Sequence, residues 1–303
     1  MNSEDPKVSI LIPTYNQPIL TRNAILSVIM QNFSDFEIII CDDSSNNLIE
    51  QLIKNEFLSE KRIKYFKNKN RLGATANWNK SIIISKGEYI KFLHHDDFFT
   101  EKNALNKFVN ILDKNKKIDM AFSASNVISE DKIININRPS LNFVKEINKD
   151  FHNLFPENLV GAPSAVIFRK KCNILFDEKL KYVVDIDFYI NFLRNNFKIG
   201  YISEALIGTN IGSHTLTSNC VNRETEIFEW TYLFNKINKD KKIRLKQWQF
   251  LKQLYIKYNI KELEELNEYS VDIDKYNKKI LKFLLNNKIS YLNILIKKVV
   301  GKF

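Results

Sequence analysis

The first hundred residues alternate two kinds of segment, and that alternation restricts the fold more than any other feature of the chain. "VSILIP" (Val8 to Pro13) is a short, β-rich apolar run closed by a proline. "ILTRNAILSVIMQ" follows, with Ile25, Leu26, Val28 and Ile29 at helical spacing. "FEIIICDD" (Phe36 to Asp43), "RIKYFKN" and "EYIKFL" repeat the strand signal, and "NNLIEQLIKNEF" and "ATANWNKSIIIS" repeat the helical one. Strands separated by helices predict an α/β fold, a mostly parallel sheet covered by helices. Ligands of such sheets gather beyond the carboxyl ends of the strands. Three of these ends carry polar clusters: "PTYN" after the first strand, "DDSS" after the second and "HHDD" after the fourth.

Beyond residue 100 the pattern predicts a helix at "ALNKFVNILDKN", a strand at "DMAFSASNVI" and a polar loop region over 131–158. A strand at "GAPSAVIFRK" and a helix at "DIDFYINFLRNN" follow, and the chain reads as helical from about residue 221. We therefore expect an α/β domain over 1–220 and a basic helical extension over 221–303.

A nucleotide suits the polar edge, but the usual phosphate cradles are missing. None of the seven glycines falls in a GxGxxG or GxxxxGK[ST] pattern, so dehydrogenase and Walker ATPase readings are set aside. A diphosphate can instead be held through a divalent cation, for which carboxylate oxygens are natural ligands. Asp96 and Asp97, at the end of an apolar strand, supply such oxygens. Zinc is not expected from His94 and His95: neighbours in a strand point to opposite faces, and no HExxH or cysteine partner accompanies them.

The segments "VSILIPTYNQ", "SVIMQNFSDFEIIICDDSS", "NRLGATANWNKSIIISKGEYIKFLHHDD" and "VVDIDFYINFLR" resemble, in order and spacing, the signatures of family 2 glycosyltransferases with the GT-A fold. The resemblance covers roughly residues 6–215. It implies inverting transfer of a sugar from a nucleotide diphosphate donor, expected to be a UDP-sugar, with Mn2+ or Mg2+ as cofactor. The acceptor implied is a hydroxyl of a saccharide or lipid-linked saccharide, in bacterial surface polysaccharide or lipopolysaccharide synthesis.

Position by position, the resemblance places Pro13 and Tyr15 against the nucleobase and Asp43 at the base edge. Arg71 and Gly73 match the loop that closes over the nucleotide. Asp96 would contact the ribose or sugar, Asp97 the metal, and His214 the pyrophosphate or metal. Asp185 matches the catalytic base. Asp42 is expected to cap its strand, and Trp78 to be core. Two departures stand out: His94 replaces a common first acid of the acidic motif, and Val184 a glutamate that commonly precedes the base.

Two rival functions fit the sequence less well. A sugar-1-phosphate nucleotidyltransferase would want a glycine-rich basic loop after the first strand, and "PTYNQP" lacks one. A non-catalytic sugar-nucleotide-binding module has no need of both Asp97 and Asp185.

Charge is unevenly placed. Residues 275–303 hold eight lysines and no acid, out of a net +11 for the chain. Leu281, Leu285, Ile289, Leu292, Ile296 and Val299 form one helical stripe there. Packing on the catalytic domain and attachment to the anionic inner leaflet of the membrane are both compatible with that stripe. Nucleic acid is not expected, since no recognition motif accompanies the lysines. The polar start "MNSEDPK", the lack of 18 consecutive apolar residues and three scattered cysteines (Cys41, Cys172, Cys220) predict a cytoplasmic protein, peripheral on the inner membrane if the tail binds there.

Overall fold

The computed structural model describes residues 5–212, 220–238 and 245–269, with the single positions 278, 279 and 282. His214 and most of the lysine-rich tail lie outside the described residues. The chain divides into two compact units, 1–219 and 220–303.

The first unit is built on a nine-stranded sheet in the order β3-β2-β1-β4-β8-β6-β9-β5, with β7 paired to β6. The strands are β1 (Val8–Thr14), β2 (Phe36–Asp42), β3 (Ile63–Lys67), β4 (Tyr89–Phe92), β5 (Phe98–Phe99), β6 (Met120–Ser129), β7 (Lys132–Asn137), β8 (Val166–Arg169) and β9 (Ile199–Asn210). β1, β2, β3 and β4 are mutually parallel. β8 runs against β4 and β6, while β9 runs parallel to β6 and β5 against β9. β3, β2, β1, β4, β6 and β9 thus share one direction, and their carboxyl ends lie along one edge.

The interior follows from the apolar runs. All seven residues of β1 and all seven of β2 are buried, as expected of central parallel strands covered on both faces. Val8, Ile10 and Ile12 pack in one cluster with Ala24, Ile25 and Val28 of α1 (Pro18–Ile29) and with Leu105, Phe108 and Leu112 of α4 (Ala104–Lys114). Each large aliphatic side chain so buried contributes about 1.5–3 kcal/mol relative to exposure. Pro18 opens α1 at a position where its missing N–H would have no helical partner. α2 (Leu48–Glu56) and α3 (Ala74–Ile84) complete the alternation. On the other face Trp78 of α3 is 6% exposed among Phe92, His94 and Phe176, a core position as expected. Cys41 and Cys172 are buried thiols, each pushed up to about 12 by burial first of all.

The expected loop over 131–158 is corrected: it contains β7 and α5 (Leu141–Lys149). β7, "KIININ", exposes nearly all its residues, so no burial face marked it as a strand. α5 is opened by Ser140, whose hydroxyl accepts the N–H of Phe143 (3.1 Å). β9 gives no strand signal of its own either, because its middle is half-exposed and polar although its two ends are buried. α6 (Val184–Arg194) begins one residue before Asp185.

The second unit contains α7 (Arg223–Ile237), capped by Asn222 through the N–H of Thr225 (2.9 Å), and α8 (Leu245–Lys257). The Thr231 and Tyr255 hydroxyls meet between them (2.9 Å). Among the described residues no helix is long and apolar enough to cross a membrane.

Candidate active site

The ends of β1 and β2 are laced together before any ligand is considered. Asn16 adopts a left-handed conformation (φ 53°), which asparagine tolerates better than most residues. Its N–H donates to Ser44 Oγ (2.8 Å), and its Oδ1 accepts from the Ser45 N–H (3.2 Å) and from Asn46 Nδ2 (3.1 Å). The two aspartates that close β2 then part company. Asp42 is fully buried and turns to its own sheet, accepting from Ser44 N–H (2.8 Å), Tyr65 Oη (2.7 Å) and Lys67 Nζ (3.0 Å). Burial alone would raise its pKa, but those donors outweigh burial and hold the carboxyl below the usual range.

Asp43, 4% exposed, reaches the loop before α3. Oδ1 accepts from Asn68 Nδ2 (2.8 Å) and the Leu72 N–H (2.8 Å), and Oδ2 from the Gly73 N–H (2.9 Å). Gly73 has φ +86°, ψ 163°, a backbone that side chains resist, and this turn aims the Leu72 and Gly73 N–H groups, just before α3, at the carboxylate. Arg71, in the same loop, lays its guanidinium 4.5 Å from the ring centre of the exposed Tyr15. Pro13, Tyr15, Asp43, Arg71 and Gly73 are therefore brought together at the ends of β1 and β2. Oδ2 of Asp43 has one protein donor among the described residues, which leaves acceptor capacity for a ligand.

The end of β4 carries the acidic motif. His95 Nδ1 lies 3.3 Å from the Pro13 carbonyl, next to the cluster above. Asp97 is 5% exposed. Its Oδ1 accepts the Asn210 N–H from the end of β9 (3.2 Å), and the Ser164 hydroxyl also bonds it. Burial first, and then the neighbouring Asp96, push this carboxyl well above its usual range. Below it Lys91 is buried, its Nζ donating to the Phe92 carbonyl (2.8 Å) and to the Ser164 carbonyl, and burial drives the ammonium well down against the pull of Asp97. His94 stacks on Trp78 at 4.6 Å, and burial holds its imidazole neutral with a pKa of about 4. Its Nε2 is shut off from solvent with no hydrogen-bond partner among the described residues. One donor atom each from His94, Asp96 and Asp97 lie within 4.8 Å of one another.

A divalent cation fits this set. Two carboxylates converge with an imidazole that is neutral near physiological pH, and a cation would relieve the burial and mutual repulsion that raise Asp97.

Asp185 lies in the first turn of α6, with Asn158 Nδ2 (2.6 Å) on Oδ2 and the Ile186 N–H (2.8 Å) on Oδ1. Asn210, Ser164, Asn68 and Asn158 were not singled out in the sequence. Each is a polar residue with no motif around it, and only the tertiary pairing gives it a role.

The model of glycosyl transferase family 2 matches residues 9–174. The chain belongs to this family. Its match spans β1 through β8, so the clusters at the ends of β1, β2 and β4 fall inside the family 2 region. An uncharacterised glycosyltransferase of Methanocaldococcus jannaschii is 35% identical over 208 residues, covering 67% of this chain and 70% of that protein. A putative colanic acid biosynthesis glycosyl transferase of Escherichia coli is 27% identical over 239 residues, 78% of this chain and 83% of its own length. Among solved structures, S. aureus TarS residues 1–349 in complex with UDP-GlcNAc superposes with a TM-score of 0.62 at 18% identity, covering 87% of this chain and 78% of that one. The mannosyltransferase PcManGT of Pyrobaculum calidifontis, in complex with GDP-Man and Mn2+, gives a TM-score of 0.59 at 11% identity over 99% of this chain and 89% of that one. These two likenesses establish the GT-A fold, and family membership makes the chain a glycosyltransferase.

Proposed function

We propose that this glycosyltransferase is inverting and metal-dependent, moving a sugar from a nucleoside diphosphate donor, UDP-linked, to a hydroxyl of a saccharide or lipid-linked saccharide during surface polysaccharide synthesis. The observation that carries the reading is the convergence of Asp43, Asp96 and Asp97 on one sheet edge, fixed there by the register of β1, β2 and β4. The UDP-GlcNAc and GDP-Man held by the two structural relatives, and the colanic acid role named for the E. coli relative, support the donor class and the setting.

In this reading Tyr15 and Arg71 flank the nucleobase and Asp43 accepts from its edge, while the Arg71–Gly73 loop closes the nucleotide side. Asp96 and Asp97, with His94 beside them, would hold the cation. When bound, the cation supplies positive charge against the diphosphate that leaves. Asp185 takes the proton of the acceptor hydroxyl as that oxygen attacks the anomeric carbon. Attack opposite the leaving group inverts the centre, and one base suffices without a covalent intermediate.

The test is a thermal-stability panel of UDP, GDP, CMP and dTDP species with and without manganese. A ligand at a hundredfold excess over its dissociation constant adds about 2.7 kcal/mol of apparent stability. A manganese-dependent response to UDP is expected, and no response to any nucleotide would defeat the proposal.

A further inference from the structure

Asp185 has its two oxygens held by different parts of the chain. Oδ1 accepts the N–H of the next residue, Ile186 (2.8 Å), a contact within its own helical turn. Oδ2 accepts the side-chain amide of Asn158 (2.6 Å), which comes from a loop packed against α6. That amide nitrogen also donates to the Gly161 carbonyl (3.2 Å), and Asn158 Oδ1 accepts the Gly161 N–H (3.0 Å). One side chain therefore braces the four-residue turn 158–161 and presents an N–H to Asp185.

The turn is itself pinned to the body of the domain. Gly161 has φ +94°, and a Cβ placed there would meet Asn137 Nδ2 at 2.8 Å. The buried Tyr189 phenol donates to the Gly161 carbonyl (2.9 Å) from one turn further along α6. The residue before Asp185 is Val184, 3% exposed, which offers no polar group to steady the acid.

The geometry points to Asn158 as a positioning residue of the transfer reaction: it fixes the rotamer of Asp185 and favours its ionised form. This inference rests on the reading of Asp185 as the base. An amide N–H bonded to a carboxylate stabilises the charged state, since protonation would remove an acceptor lone pair. A base must also stand within hydrogen-bond reach of the proton it takes, so clamping Oδ2 holds the carboxylate in a fixed orientation.

The ionisable residues Tyr189, Asp187 and Glu157 do not supply this effect. Tyr189 is buried, and burial first, with Asp185 second, pushes its phenol up so that it stays neutral. Asp187 is a buried acid in the same helical turn, and Glu157 is an exposed acid beside Asn158; neither carries the positive charge that would keep Asp185 ionised.

The test combines two readouts on the full chain. Carboxyl-labelled aspartate is followed by 13C NMR across pH, the Asp185 signal being assigned by its loss in Asp185→Asn. In Asn158→Ala the Asp185 titration moves up by about one pH unit. Asn158→Asp moves it further, because the new carboxylate still accepts the Gly161 N–H and keeps the turn, but sets a negative charge against Oδ2. In parallel, nucleotide release from UDP-GlcNAc or GDP-mannose with manganese should show the acid limb of the kcat profile displaced in the same direction. The fall in kcat at neutral pH is roughly ten- to a hundredfold, with the donor KM unchanged.

An Asp185 titration unmoved in both variants, at unaltered melting temperature, overturns the role of Asn158 whatever Asp185 does. If Asp185→Asn turns over donor at the wild-type rate, the base assignment falls first and the positioning role with it. Should Asn158→Ala fail to fold, Asn158→Asp decides alone.

Discussion

Replacing Asp43 by asparagine isolates the clamp that holds the nucleotide-side loop. In the native chain Oδ1 serves Asn68 and Leu72 and Oδ2 serves Gly73. Asparagine can keep its oxygen on the first pair, but its amide then faces the Gly73 N–H, donor against donor. One charge-assisted hydrogen bond is lost, and one N–H at the start of α3 is left unpaired in a buried site. The summed penalty is about 2–3 kcal/mol. For a unit of roughly two hundred residues each kcal/mol displaces the melting temperature by about 2–4 °C, so a fall of roughly 4–12 °C is expected. Because Arg71 and Gly73 move with this loop, the stabilisation by UDP expected of the wild type should vanish in the same variant. Urea unfolding and thermal melts with and without UDP read both effects. A melting temperature within a degree of wild type, together with an intact UDP response, refutes the clamp and the placement of the nucleotide beside it.

Three further outcomes follow from the same geometry. Asp42 has a depressed pKa in the fold, so it contributes stability above the usual carboxylate range that is lost as pH falls through its folded value; Asp42→Asn should be less stable at pH 7 and show a shallower loss on acidification, measured by urea unfolding at pH 7 and pH 3. Asp97 is the reverse: its raised pKa means stability present at low pH and lost as pH rises through the folded value. Asp97→Asn should therefore flatten the fall in stability of the metal-free protein as pH rises above the usual carboxylate range, read in thermal melts, and abolish its response to manganese. Arg71→Ala removes an exposed cation–π contact with Tyr15, so its stability should change by less than about 1 kcal/mol while the donor KM rises, as read from urea unfolding and from initial rates of nucleotide release.

The parts of the fold legible in the sequence are those buried on both faces. β1 and β2 are continuous apolar runs because helices cover them above and below, and they announce themselves for that reason. β7 alternates isoleucine with asparagine yet leaves both exposed, so its periodicity carries no direction and a loop was the natural reading. β9 is apolar at its ends and exposed in the middle, and what makes it a strand is its long ladder to β6, a non-local pairing that no local pattern records. The candidate site divides in the same way. Adjacent acids after apolar strands could be seen directly, and Asp42 was separable from Asp43 as the strand cap. Asn210, which bonds Asp97 through its N–H and Asp96 through its side chain, lies more than a hundred residues from both, and only the closing of β9 against β5 and β6 brings it there.

The central claim is that Asp96 and Asp97 hold a divalent cation under a nucleoside diphosphate, and a crystal grown with UDP and manganese tests it most directly. The account predicts an anomalous manganese peak within about 2.0–2.5 Å of an Asp96 or Asp97 oxygen, with the uracil beside Asp43 and Tyr15. Manganese and UDP bound elsewhere, with Asp97 still turned to Asn210 and Ser164 and no metal beside Asp96, would contradict it.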